Sequence, residues 1–288
     1  MIGTRQVPAR SFHVNNKTRF LRNRDWIGNE MASSFAGAPA LLTSLSAPAR
    51  FCVSVGAVQL GFFFYKEVVP RVFAGAHTLR ARGKHLDEFA ARDWACITVN
   101  KVLTWVMVYH TLTYLLWSPN ILWAPAQLSV RSSLGALVAL FLVYDLFYSL
   151  THRALHLRGI YGYIHKHHHR QVVPTRGSLD AINVHPIEYL LGEYTHLLAM
   201  HLVASYVCSV HVAATAAFLV LGGAAAALNH TRLDVRLALP FAASWPIFDV
   251  RAHDTHHCVP NSNYGQYTMI WDRLLGTYKE YELARKAS

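Results

Sequence analysis

SLGALVALFLVYDLFYSLTHRALH, residues 133–156, decides what kind of fold this chain adopts. Its first eighteen residues, 133–150, carry one charge, Asp145. That is close to the roughly twenty residues a helix needs to cross a hydrocarbon core of about 30 Å. If the helix continues past the membrane, Asp145, Tyr148, His152 and His156 recur at intervals of 3, 4 and 4 and share one face. Two histidines at i and i+4 can hold one metal ion. The stretch therefore reads as a membrane helix that runs out of the bilayer into a metal-binding face.

The whole chain of 288 residues supports the membrane reading, being 53% hydrophobic and only 15% charged. An ordinary globular domain carries about 25% charged residues. Besides 133–150, segments 94–117, 187–207 and 208–228 are long and apolar enough to span, and a shorter run, 51–65, spans, re-enters or lies in the interface. The net charge of +11 does not signal nucleic acid, because Lys and Arg lie between apolar segments rather than along one stripe. The 118–130 loop and the turn near 208–212 are uncharged, whereas 66–93, 151–186 and the tail after 229 carry several Lys and Arg. The positive-inside bias then puts the uncharged turns in the lumen and every histidine cluster in the cytosol. The four cysteines form no CxxC pair, so neither a disulfide framework nor a thiolate zinc site is expected.

Histidine is the anomaly: of 18, 14 fall between His152 and His257. HKHHH at 165–169 and HDTHH at 253–257 share the spacing HxxHH, which selects His165, His168 and His169 in the first and His253, His256 and His257 in the second. His167 is the extra residue, standing where the second box has Thr255. With His152 and His156 these make eight imidazoles, more than one ion needs, so two metal ions are expected. A nitrogen-only set of this size favours a redox metal over hydrolytic zinc. His185, opening HPIE, and His230, ending LNH, sit where either direct ligation or orientation of another ligand fits. Asp145, Tyr148, Glu188 and Asp254 lie beside the clusters, where supporting side chains orient metal-bound imidazoles.

With these residues in view, the chain resembles the fatty acid hydroxylase/sterol desaturase superfamily of membrane di-iron oxygenases. The resemblance runs from Asp145 to Tyr278 through D..Y...HR..H, both HxxHH boxes, HPIE and NYGQYTMIWDRLLGTY. The tail is most similar to C-5 sterol desaturases, whereas HPIE is closer to methylsterol monooxygenases and cholesterol 25-hydroxylases. The short gap from His156 to His165 argues against the acyl-CoA desaturase arrangement. The resemblance implies an all-α integral membrane protein, with about four transmembrane helices in two hairpins and a cytosolic helical cap holding a histidine-rich di-metal site. It implies two iron ions, electrons from NAD(P)H through cytochrome b5 and its reductase, and hydroxylation or desaturation of a sterol or related lipid. A fatty-acyl or sphingolipid hydroxylase of the same superfamily is the alternative.

The chain divides into a basic N-terminal extension, 1–40, an interfacial or first membrane segment with its loop, 41–93, and a catalytic region, 94–288. The Arg-rich start reads as a tail, a transit peptide for a plastid or other organelle, or an extension upstream of Met31. Arg285 and Lys286 resemble a dibasic retrieval signal for the endoplasmic reticulum. Two other classes compete: a membrane metal-handling protein and a non-catalytic lipid-binding relative. A transporter would place its ligands at the membrane midplane, but here the dense clusters lie outside the apolar segments. A non-catalytic relative would have no need of the full set of boxes.

Overall fold

The computed structural model describes residues 38–81, 84–238 and 246–281, so the Arg-rich N-terminus and the Arg285–Lys286 pair lie outside the described residues. Nearly all regular structure among them is helical. Helix α1 runs over Ala47–Val72, with a π-turn at Phe64–Val68. It is followed by α2 (Ala91–Trp117), α3 (Val130–Leu155), α4 (Pro186–Tyr206), α5 (Val212–Asn229), α6 (Val250–Cys258) and α7 (Ile270–Leu274).

Polar side chains fix where the helices start. Ser129 Oγ accepts from Ser132 N at the head of α3, His211 Nδ1 from Ala213 N at α5, and Asp249 Oδ1 from Arg251 N at α6. At α4 the cap is His185, with Pro186 in the first turn, where a missing N–H is harmless.

Among the described residues, three helices are long and apolar enough to cross a membrane: Ala47–Val72, Val130–Leu155 and Val212–Asn229, with mean hydropathies of 1.4, 1.8 and 1.8. This departs from the expected four in two respects. The 51–65 run is part of a 26-residue helix that qualifies by length and composition. Helices α2 and α4, although 27 and 21 residues long, do not qualify. Residues such as Asn100, Lys101 and His110 in α2, and Glu188, Glu193 and His196 in α4, lower their apolarity. In the three qualifying windows only 11%, 28% and 39% of residues are buried. Leu60, Leu134 and Val138 are among the apolar side chains pointing outward. Apolar surface on that scale belongs against lipid or a partner, as in an all-helical membrane protein.

The expected hairpins do not pack as separate units. Helix α2 lies against α1 and α4, α3 lies against α4 and α5, and the end of α1 touches α5. The five helices form a ring in which α4 separates α2 from α3. Leu140, Met200, Val203 and Phe218, all fully buried, make its densest contact, together with Tyr144. Two features tie the ring together. Strand β1 (Ile121–Leu122) pairs in parallel with β2 (Val210–His211), joining the two turns at one end. Asn100 Nδ2 in α2 donates to the carbonyls of Ile182 and Val184, both at 2.8 Å, and so fixes the entry to α4. A second small pairing, β3 (Arg236–Leu237) with β4 (Phe248–Asp249), leads into α6.

At Gly223 in α5, a Cβ would come within 2.5 Å of the Tyr65 ring, so only glycine lets the π-turn bring Tyr65 into the ring.

Candidate metal centre

The histidines converge at the end of the helical ring remote from the β1–β2 turns. They arrive on four pieces of backbone: the last turn of α3, a 3-10 turn at His165–Arg170, the end of α5, and α6. They fall into two groups. His152, His156, His165, His169 and His256 form one, and His168, His230, His253 and His257 the other, with the donor atoms of each group within 4.8 Å of one another. Apart from the partly buried His156, all nine are buried.

The boxes are not one per metal. On α6, His253 and His257, four residues apart, point to the second group, and His256 points to the first. The 3-10 turn repeats the division: His165 and His169 go to the first group and His168 to the second. The two groups are therefore neighbours, with ring centroids of His168 and His169 5.7 Å apart and of His169 and His257 5.2 Å apart.

The hydrogen atoms on these rings can be placed from their partners. His152 Nδ1 is 2.8 Å from the carbonyl of Tyr264, His230 Nδ1 2.8 Å from that of Ala226, and His256 Nδ1 2.6 Å from that of Ser262. A carbonyl only accepts, so each Nδ1 carries the hydrogen and each Nε2 is a bare lone pair. Glu188 Oε1 lies 2.9 Å from His165 Nδ1. Yet His152 Nε2 and His165 Nε2 are 3.0 Å apart, and His253 and His168 approach His230 Nε2 at 3.2 and 3.3 Å. His165 and His256 approach His169 Nε2 at 3.0 and 3.1 Å. Where both nitrogens present lone pairs, they repel unless a cation lies between them. Donors on one ion with metal–nitrogen bonds of about 2.0–2.1 Å lie about 2.9 Å apart at right angles and about 3.3 Å apart at the tetrahedral angle. The observed separations span that range. His156 Nε2 is buried without a hydrogen-bond partner, a further donor available to the first group.

Electrostatics favour the same state. Burial lowers the pKa of His156 to about 3. Burial, reinforced by neighbouring imidazoles, also pushes His165, His168, His169, His253, His256 and His257 well below the usual range. The rings stay neutral near pH 7, the form that binds metal.

Among the candidates, His230 belongs to the second group. His185 belongs to neither: its Nδ1 accepts from Ile187 N at 3.2 Å, so it caps α4 and its lone pair is occupied there. His167 also lies outside both groups but is not idle. Its Nε2 is 2.9 Å from Asn183 Oδ1 and 3.3 Å from Asp93 Oδ1, which anchors the 3-10 turn to the head of α2. Tyr148 stacks on Tyr144 and meets the His152 ring edge-on at 5.3 Å. Asp254 pairs with Arg232, tying α6 to the chain that follows α5. Asp145 accepts from the backbone N–H groups of Gln266, Tyr267 and Thr268.

Those N–H groups belong to the tail motif, whose role is structural support. Asp272 accepts from Tyr264 N and Gly265 N, both at 2.8 Å, and fixes the carbonyl that orients His152. A Cβ on Gly265 would lie 2.4 Å from the carbonyl oxygen of Thr268, so the turn admits only glycine. Three of the orienting groups, the carbonyls of Ala226, Ser262 and Tyr264, carry no side-chain signature and are invisible in the sequence. Asp93 and Asn183 were equally unmarked.

A cavity of about 410 Å3 opens inside the ring and reaches the cage at His152 and Glu188. All five long helices line it, largely with apolar groups. The fold and this centre define a class: a helical membrane protein with two adjacent histidine groups able to hold metal above an apolar cavity.

A statistical description of the fatty acid hydroxylase family matches residues 137–277. A Delta(7)-sterol 5(6)-desaturase of Leptosphaeria maculans is 34% identical over 138 residues, 47% of this chain and 35% of the relative. A methylsterol monooxygenase of Aspergillus fumigatus is 28% identical over 209 residues, 68% and 65% of the two chains. A very-long-chain aldehyde decarbonylase of Oryza sativa subsp. japonica is 33% identical over 151 residues, 50% and 55%. The chain thus spans between about a third and two thirds of the length of these relatives. No solved structure matches. Residues 137–277 thus carry the pattern of the fatty acid hydroxylase superfamily.

Proposed function

We propose that this protein is a membrane oxygenase that hydroxylates or desaturates a sterol or related lipid, with two iron ions in the histidine groups. The observation that carries this reading is the convergence of buried imidazole Nε2 atoms to 3.0–3.3 Å of one another in two adjacent groups. His152, His156, His165, His169 and His256 would hold one ion, and His168, His230, His253 and His257 the other. Such a pair supplies activation of dioxygen for oxidation of an unreactive C–H bond, with electrons delivered from NAD(P)H through cytochrome b5.

The residues of this chain do the rest. The carbonyls of Tyr264, Ala226 and Ser262 hold His152, His230 and His256 in one tautomer and orientation, and the Glu188 carboxyl lies against His165. The apolar cavity excludes water and presents a lipid carbon to the cage at His152. The sterol assignment comes from the activities named for the fungal relatives, together with a cavity inside the range of about 300–1,000 Å3 used by small-molecule sites. Residues 94–288 are taken as the catalytic unit, with the helical ring in the endoplasmic reticulum membrane. The basic segments around the cage support a cytosolic position for it.

Metal analysis of the purified protein tests the reading: two irons per chain are expected, and one or none would refute it. Lipid profiling of cells lacking the protein should show one accumulated precursor with an unoxidised C–H bond. An unchanged lipid profile would remove the proposed substrate class.

A further inference from the structure

The cavity holds one acidic group that the metal cage does not use. Of its two carboxylates, Glu188 faces His165. Glu193 lies five residues further along α4 and faces the Tyr189 phenol. The Tyr189 hydroxyl is 2.7 Å from Thr104 Oγ1, which extends the polar group across to α2. Other polar groups nearby are already engaged with each other: His196 Nε2 is 2.9 Å from the Tyr267 hydroxyl. Among the described residues lining the cavity there is no Lys or Arg. An ionisable side chain in an apolar helix is costly and marks a functional position.

We propose that Glu193, with the hydroxyls of Tyr189 and Thr104, anchors the alcohol group of a neutral lipid and selects alcohols over fatty acids. The selection follows from charge. A lipid hydroxyl donates to a carboxyl oxygen, whereas a ligand carboxylate would lose its water in a cavity whose described lining offers no Lys or Arg to pair with it. The geometry also places that hydroxyl. Five helical residues rise about 7.5 Å, so the anchored hydroxyl lies roughly that far from the Glu188 end. This inference rests on the reading of the cavity as a lipid site.

The test measures equilibrium binding to the purified full-length protein in lipid nanodiscs. One pair of probes is a Δ7-sterol and its 3-methyl ether, and the other a long-chain primary alcohol and the fatty acid of equal length. The wild-type protein is expected to prefer the free sterol about tenfold over its ether, the size of one lost hydrogen bond in a buried site. Glu193→Leu should reduce that preference to near unity, and Glu193→Gln, which keeps an accepting oxygen, should retain most of it. Tyr189→Phe should weaken the preference too, and it serves as the readout if Glu193→Leu does not fold. The proposal is overturned if the wild type does not discriminate within the pairs, if it favours the fatty acid, or if Glu193→Leu or Tyr189→Phe leaves the preference intact. Binding needs neither turnover nor electrons. Two irons without alcohol selectivity would sink this inference alone, and alcohol selectivity without iron would sink the oxygenase reading alone.

Discussion

Replacing Asp145 should disturb a metal site that its side chain never touches. Its carboxylate is fully buried and accepts from Gln266 N, Tyr267 N and Thr268 N. Asp145→Asn keeps one accepting oxygen but turns an amide NH2 towards at least one of those N–H groups. A buried donor left unpaired costs about 1–3 kcal/mol, and bonds to a charged acceptor are worth about 1.5–3 kcal/mol each. The asparagine variant should therefore lose about 2–4 kcal/mol. Asp145→Ala strands three donors, but it also removes a buried charge, so its loss should be about 3–6 kcal/mol. The loop carrying these N–H groups begins at Tyr264, whose carbonyl orients His152. Loosening it should weaken the first metal group before the second. Urea unfolding in detergent gives the stability, and iron per chain gives the occupancy, expected to fall from two towards one. Unchanged unfolding midpoints together with two irons in both variants would refute this coupling.

His167→Ala should retain both metals yet cost about 1–3 kcal/mol, because Asn183 and Asp93 lose a buried partner, whereas His168→Ala should strip the second group. Equal iron loss in the two variants would contradict the assignment of ligands. His185→Ala should remove only a helix cap, lowering the unfolding midpoint by the equivalent of about 1 kcal/mol while leaving iron content at wild type. Acid should destabilise the metal-free protein in a defined window. The unfolded chain takes up protons on histidine near pH ~6.5, but the folded cage resists them, with His156 held down to about 3. Stability should be flat above pH ~6.5 and fall below it by up to about 1.4 kcal/mol per pH unit for each such histidine. Urea midpoints of chelator-treated protein that stay level between pH ~6.5 and ~4.5 would refute this.

Helix α3 shows how much of the fold was legible. Its apolar run and the 3, 4, 4 spacing of Asp145, Tyr148, His152 and His156 obey the helical period, and the structure forms one helix through the first three with His156 as its C-cap. Helix α2 was less legible. Asn100 and Lys101 reduce its apolarity, and Asn100 turns out to be a crosslink to the start of α4. The run at 51–65 was too short to classify because Lys66 and Glu67 interrupt it. The π-turn carries the helix through them to Val72, and both charges remain at least partly exposed.

The sequence alone determined that imidazoles cluster in excess of one ion's needs, and that the two HxxHH boxes share a spacing that leaves His167 out. Spacing is a local property, and a helical period reports which residues share a face. Only the tertiary structure decided how the boxes divide: each sends histidines to both groups, because each turn is wedged between the two sites. Likewise only the fold recruited His230, dismissed His185 to a helix cap and set Glu193 facing the cavity. Those assignments depend on distances between segments far apart in the chain and on backbone carbonyls that orient the rings. Neither leaves a trace in residue type.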